Sequence, residues 1–266
     1  MYLSRCMTMA CCTLLAGLSA IACPGLAQDS SKPQPTVLFH DGGSNGRLES
    51  LFIPPMANAP FSLTLVTEWS RPMNGGGTFT LTNQRRIVRD GKGRIYQERW
   101  LLVPRGSKIE SHMELIQISD PALHVWYNCD VQEKVCDKLE YEGSTSTIYK
   151  PTLSESGPVR NGTGYLRHED LGVSNSNGVN TTGYRDTITF DTGVFGNDQP
   201  MITTREFWYS PQLGINLIST LEDPQNGKEV FRVMNLTTSE PDPAQFEVPQ
   251  GYRVMDRSGE SSGSDH

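Results

Sequence analysis

Basic blocks are missing from this 266-residue chain, and with them the footprint of a nucleic-acid binder. Its 30 acidic and 23 basic residues leave a formal charge of −7, dispersed along the sequence rather than gathered into runs. Amphipathic segments of helical length are missing too, which leaves a β architecture. The histidines His40, His112, His124, His168 and His266 occur singly, with no pair at metal-ligand spacing, so neither a metal nor a cofactor is expected. Gly75-Gly76-Gly77 lacks the strand–turn–helix context and the Lys-Ser/Thr step of a phosphate cradle. Gly259-Glu260-Ser261-Ser262-Gly263 has the letters of a nucleophile elbow but neither the strand before nor the helix after that the chemistry needs.

What is present begins with an address. Arg5 provides a short positive region, and residues 6–21 form an apolar core containing Leu14, Leu15, Leu18 and Ile21. Gly25-Leu26-Ala27 then has the small-x-small pattern of a cleavage site, so residues 1–27 read as a secretory signal peptide. The run is too short to read as a secure membrane span. A rival cut exists, because Ser19-Ala20-Ile21-Ala22-Cys23 resembles a lipobox that would leave Cys23 lipidated. Ala20 and Pro24 depart from that pattern, and the ordinary cut is favoured. The chain would then be exported, to the periplasm, the outer membrane or beyond, and membrane-attached only if lipidated at Cys23.

After the leader only Cys129 and Cys136 remain under that cut. They flank six residues between strand-like runs at 124–128 and 137–141. A hairpin there brings the two Cβ atoms opposite one another, and an oxidising compartment closes the bridge. Closing so short a loop contributes about 2 kcal/mol in the chain-entropy view. The spacing is wrong for a redox motif, and no further ligand pair lies nearby.

Residues 28–60 read as a polar, Pro-rich tether followed by an irregular segment. From residue 61 the pattern becomes that of half-buried strands, with Phe61, Leu63 and Leu65 on one face in register with Trp69. Runs at 78–89 and 94–103 flank an Asp90-Gly91 hairpin signal, and Asp120-Pro121 marks another turn. The densest stretch is residues 183–254, with four alternating runs at 184–190, 201–209, 215–221 and 230–236. Asp223-Pro224-Gln225-Asn226-Gly227 is the hairpin tip between the last two. One helical turn at 241–246 would plug Phe246 into the sheet edge. Residues 143–167 break the rhythm and read as a long, disordered surface insert in the 61–254 domain. Residues 255–266 read as a disordered tail. The runs amount to about nine or ten antiparallel strands, enough to curl into a half-barrel, a sandwich or a closed barrel.

The distal block resembles a group of exported, functionally uncharacterised proteins of Acidobacteria-type soil bacteria. It carries Leu171-Gly172, Gly196-Asn197-Asp198-Gln199-Pro200, Trp208-Tyr209-Ser210-Pro211, Asp223-Pro224, Glu240-Pro241-Asp242 and Phe246-Glu247-Val248-Pro249-Gln250-Gly251-Tyr252. The strand succession is also similar to the periplasmic lipoprotein carriers of the LolA/LolB type and to the RseB sensor. That likeness implies a large, curved, open antiparallel sheet whose concave apolar face accepts a lipid or a lipidated protein. Trp69, Trp100, Trp126 and Trp208 are candidates to line such a face, although strand aromatics are more often plain core.

Three readings follow. The first is a non-catalytic binding or carrier module, the second a structural or interaction protein of the envelope, and the third a secreted glycan hydrolase or lyase. For the third, Glu68 and Glu206 lie close to tryptophans in sequence, and His168-Glu169-Asp170 is a dense polar cluster. The chain shows no legible catalytic set, which favours a non-enzyme. Intact-mass measurement of the exported chain is expected to show a start at Gln28; a start at Cys23 with an added acyl mass would establish the lipoprotein instead.

Overall fold

The computed structural model describes residues 51–259. The leader, Cys23 and the tether up to residue 50 lie outside the described residues, as does the tail from 260 onward. Alternation becomes strand wherever it was legible. In β1 (Phe61–Pro72) Phe61, Leu63, Leu65 and Thr67 are buried while the residues between them are half-buried. β2 (Thr78–Arg89), β3 (Ile95–Trp100) and the short β4 (Val103–Pro104) follow. Next come β5 (Met113–Asp120), β6 (Val125–Asp130), β7 (Val135–Glu140) and the two-residue β8 (Gly157–Pro158). The distal meander is β9 (Gly164–Ser176), β10 (Val179–Phe190), β11 (Met201–Ser210), β12 (Ile215–Asp223) and β13 (Gly227–Thr237). β14 (Arg253–Asp256) ends the series.

These strands make one curved, open sheet in the order β14-β7-β6-β5-β3-β2-β1-β13-β12-β11-β10-β9-β8, with β4 on β2. The sandwich and the closed barrel are thereby set aside. The sheet is mixed, because β14 runs parallel to β7 while the other pairings are antiparallel. It has more strands than the alternation announces, since β4, β8 and β14 are too short to show a period and β9, which begins inside the expected 143–167 insert, is largely polar and exposed. Pairing also runs past Val254 to Asp256, where exposed ion pairs Lys138–Asp256 (2.7 Å) and Asp137–Arg257 (2.7 Å) fasten β14.

Aspartates shape the turns. Asp90 Oδ1 accepts from the backbone N–H of Lys92 (3.0 Å) and Arg94 (2.8 Å), and Asp223 Oδ1 accepts from Gln225 and Asn226 (2.8 and 2.9 Å). Asp120 and Asp130 open their hairpins in the same way. Gly93 has φ +87°, and a Cβ there would lie 3.1 Å from the Pro55 backbone, so the turn admits only glycine.

Two cores form on opposite faces. The larger unites Phe61, Leu63, Leu65, Ile87, Leu217 and Val233 with Leu51 and Ile53 of the irregular segment and Leu213 of the β11–β12 turn. The smaller unites Val88, Ile116, Ile118, Cys129, Cys136 and Phe246. Phe246 arrives there on a 3₁₀ turn (Pro243–Phe246) capped by Asp242, which accepts from Ala244 N–H at 3.0 Å. Cys129 and Cys136 stand directly opposite on β6 and β7 and are bridged. The strands run past the cysteines, leaving residues 131–134 as the turn.

Arg89 joins the pieces. It is fully buried, and its guanidinium donates to the carbonyls of Ala59 (3.0 and 2.7 Å), Pro54 (2.8 Å) and Leu213 (2.6 Å). It also lies 4.7 Å from the centre of the Phe61 ring. β1 and β13 stand between β2 and β12. At about 4.8 Å per strand, a flat sheet would hold β2 and β12 roughly 14 Å apart, beyond an arginine's reach. Leu213 lies in the β11–β12 turn, which folds over this side together with residues 54–59, so Arg89 and the larger core mark the inner face of the curved sheet.

Residues 143–163 hold only β8 and a 3₁₀ turn (Arg160–Gly162), yet they are fastened rather than loose. Ser146 bridges Met56, the Tyr209 hydroxyl donates to Tyr149 O, and Ser154 Oγ donates to Asp186 Oδ2 at 3.0 Å. These anchors are polar, so apolar periodicity does not register them.

Replacing Arg89 by Met would leave buried carbonyls without donors. Urea unfolding is expected to show a loss of about 3–5 kcal/mol, with Arg89→Lys recovering only part of it.

Candidate ligand-binding face

The inner face divides along the strands. At one end the larger core closes it, under residues 51–59 and the β11–β12 turn. Toward the other end β1 and β2 carry Trp69 and Phe79, which meet edge-to-face with centroids 6.1 Å apart. The Trp69 indole N–H donates to Asn226 O at 2.8 Å, which ties this patch to the β12–β13 turn.

A polar band lies on the inner face across β6, β5, β3 and β2. Arg99 Nε donates to Gln117 Oε1 at 2.6 Å, and Gln117 Nε2 donates to Asn128 Oδ1 at 2.9 Å. Arg85, opposite Leu65 in register, continues the band. Burial pushes Arg85 down to about 9 and Arg99 down to about 10, so both remain cations at neutral pH. Thr67, Ser219 and Glu229 are also buried on this face. Among the described residues, Asn83 Oδ1 and Trp126 Nε1 are buried atoms with no hydrogen-bond partner. Beyond Phe207 the face becomes aromatic again. Tyr184 packs on Phe207 at 5.4 Å, and His168 stacks on Tyr184 at 5.8 Å while its Nδ1 meets Asp186 Oδ1 at 2.5 Å.

The four tryptophans do not converge. Trp69 and Trp126 share the inner face but have β2, β3 and β5 between them. Trp100 and Trp208 point outward, each donating its indole N–H to the carboxylate two residues earlier. Those bonds are Trp100 to Glu98 at 2.8 Å and Trp208 to Glu206 at 3.1 Å. The Trp208 ring covers Gly183, where a Cβ would come within 2.8 Å of it.

The acidic candidates are likewise dispersed. Glu68 pairs with Arg105 at 2.5 Å, and Glu206 with Arg185 at 2.7 and 3.1 Å, both on the outer face. Of the His168 cluster, Glu169 pairs with Arg167 and Asp170 accepts from Gly172 N–H, so the three side chains serve different partners. An outer hollow of about 350 Å³ is lined by Arg185, Thr204, Glu206, Thr220, Glu222 and Lys228. Among the described residues no group of three or more His, Cys, Asp or Glu side chains is placed to hold a metal. Sequence reasoning missed the polar band, because Arg85, Arg99 and Gln117 look like solvent-facing positions until the sheet curls over them. It also missed the apolar set Leu51, Ile53 and Met56, whose alternation inside an irregular, Pro-containing segment was the available signal.

No family model and no curated protein matches the chain. Among solved structures it is similar to an uncharacterized conserved protein from Thermus thermophilus, at 12% identity and a TM-score of 0.38, covering 75% of this chain and 91% of that one. It is similar to MucB at 12% identity and a TM-score of 0.35, covering 74% of this chain and 59% of MucB. A LolA superfamily protein from Nitrosomonas europaea shares 9% identity at a TM-score of 0.29, covering 73% of this chain and 92% of that one. Values this low do not bear on function.

The Arg185–Glu206 pair gives a pH test. Partial burial draws the Glu206 carboxyl upward, but the hydrogen bonds from Arg185 and Trp208 and the nearby charges outweigh it, so its pKa falls below the usual 4.5. A carboxylate with a lowered folded pKa contributes stability that is complete above the unfolded value and is lost as pH falls through the folded one. Glu206→Gln is therefore expected to lower Tm at neutral pH, and the two Tm values should converge as acidification carries the pH below 4.5 and through the lowered folded pKa; a gap unchanged with pH would refute the assignment.

Proposed function

We propose that the chain is a non-catalytic binding or carrier module of the bacterial envelope, and that its inner sheet face receives the acyl chain of a lipid or of a lipidated protein. The observation that carries this reading is the inner face's two-part character. Aromatic and apolar side chains at Trp69, Phe79, Tyr184 and Phe207 lie beside a buried polar band containing the cations Arg85 and Arg99. An amphiphile has the same two parts. Its chain suits the aromatic patches, and a polar head group suits the band, where Trp126 Nε1 can donate and Asn83 Oδ1 can accept. Of the four tryptophans, Trp69 and Trp126 are the ones this reading assigns to the ligand. The carboxylates of the glycan-hydrolase alternative are separated and ion-paired, which weighs against it.

Native mass spectrometry of the protein purified from its host's envelope without detergent tests the proposal. A co-purifying mass that organic extraction identifies as a lipid or acyl chain is expected. Its occupancy should drop at least about fivefold when Trp69 and Trp126 are both replaced by Ala. A bare polypeptide mass would sink the carrier reading and leave a protein-interaction role in its place.

A further inference from the structure

The end of the sheet away from the larger core carries a projection that the inner face does not explain. β13 accompanies β1 only as far as Ser70, and β4 meets β2 at Leu81, so residues 71–79 outrun their neighbours as a two-stranded finger. Every residue of that finger is exposed. Its base is braced, because Arg71 Nη2 donates to Gln225 O at 2.7 Å and Trp69 Nε1 to Asn226 O at 2.8 Å. Its tip turns through Gly75, Gly76 and Gly77, all at positive φ, closed by Met73 N–H donating to Gly77 O at 3.1 Å. At this tip the chain presents Met73, 50% exposed, and Phe79, 41% exposed. Alongside lies the β4–β5 loop, fixed by Arg105 N–H donating to Thr80 O at 2.9 Å, with Ile109 59% exposed.

The charge at this corner is opposite to that of the protein. Arg71, Arg105 and Lys108 lie here, and residues 69–83 and 99–109 contain no carboxylate, in a chain whose formal charge is −7. Of the flanking acids, Glu68 is paired with Arg105 and Asp223 with the N–H groups of its own turn, while Glu110 follows Ile109, so Arg71 and Lys108 carry the positive charge of this corner. Arg71 lies 5.8 Å from the Trp69 ring centre, so aromatic surface and cation are presented together. Aromatic and aliphatic tips ringed by basic side chains match the boundary of an anionic bilayer, where apolar atoms leave water and cations meet lipid phosphates. The acidic remainder of the protein is repelled by the same surface, which leaves this corner as the favoured point of approach.

We propose that the finger and the β4–β5 loop dock the protein on an anionic phospholipid bilayer, with Met73, Phe79 and Ile109 entering the interface and Arg71 and Lys108 facing the phosphates. Trp69 and Phe79 are shared with the proposed ligand face, whereas Met73, Ile109, Arg71 and Lys108 are not, so loss of vesicle binding in the Arg71→Glu, Lys108→Glu pair with lipid occupancy retained separates docking from carriage. Co-flotation of the full chain with vesicles of phosphatidylglycerol and phosphatidylcholine, against vesicles of phosphatidylcholine alone, tests it. Uptake is expected on the anionic vesicles and should weaken with added salt. A Met73→Asp, Phe79→Asp pair and, separately, an Arg71→Glu, Lys108→Glu pair should each lower it by at least about tenfold, a basic side chain near such a surface contributing roughly fivefold. These side chains are exposed, so far-ultraviolet circular dichroism should be unchanged, and Met73→Leu should bind as the original does. Phosphatidylglycerol with brominated acyl chains should quench tryptophan emission, and Trp69→Phe should remove much of that quenching. No uptake on anionic vesicles, equal uptake on neutral ones, or uptake indifferent to both paired substitutions would overturn the proposal. So would capture of an acidic protein by the corner without vesicle binding.

Discussion

A single guanidinium holds the curl of this sheet. Arg89 is buried without exposure, and its hydrogen bonds go to the carbonyls of a segment before β1 and of the turn after β11. Carbonyls in irregular backbone are costly to bury unless donors reach them, and one planar group with five N–H bonds can serve several at once. That arrangement lets Leu51 and Ile53 close one end of the inner face although they belong to no strand.

The two faces then take different chemistry from the same alternation. Inward, the larger core gives way to arginines and amides that would be surface residues on a flat sheet. Outward, the small cluster around the Cys129–Cys136 bridge and Phe246 covers one half, and paired charges such as Arg185–Glu206 cover the other. Trp100 and Trp208 belong to this outer order, held by glutamates two positions away, while Trp69 and Trp126 belong to the inner one. A tryptophan's presence in a strand thus says little about its task. The parity of its position, carried through bulges at Arg99/Trp100 and Trp208/Tyr209, decides its face.

Much of the sheet was legible in the residues. Asp-Gly and Asn-Gly turns and alternating runs from Phe61 onward read directly, because each is a local pattern with a local cause; the turn carrying Phe246 read too, but it covers the outer face over β3 and β5 rather than plugging the sheet edge. The cysteine pairing read for the same reason, since seven positions separate the two residues. The curl did not read, because it depends on Arg89 meeting Leu213 over a separation of 124 residues. The polar band did not read either, since burial of Arg85 and Arg99 follows from curvature rather than from their neighbours in sequence. Residues 143–163 were opaque for a third reason, as hydroxyl and carbonyl anchors leave no hydrophobic trace.

The reach of the Arg89 contacts has a kinetic side. Hairpins turned by Asp90, Asp120, Asp130 and Asp223 close within a few residues, so the meander can zip from many local starts with little loop entropy to overcome. The Arg89 clasp needs strands on both sides of β1 already in register, which places it among the last contacts expected to form. Interactions made after the transition state govern how fast a fold comes apart rather than how fast it assembles. On that order the buried arginine is a brake on opening, expected to lengthen the half-life of the folded sheet more than it speeds its formation.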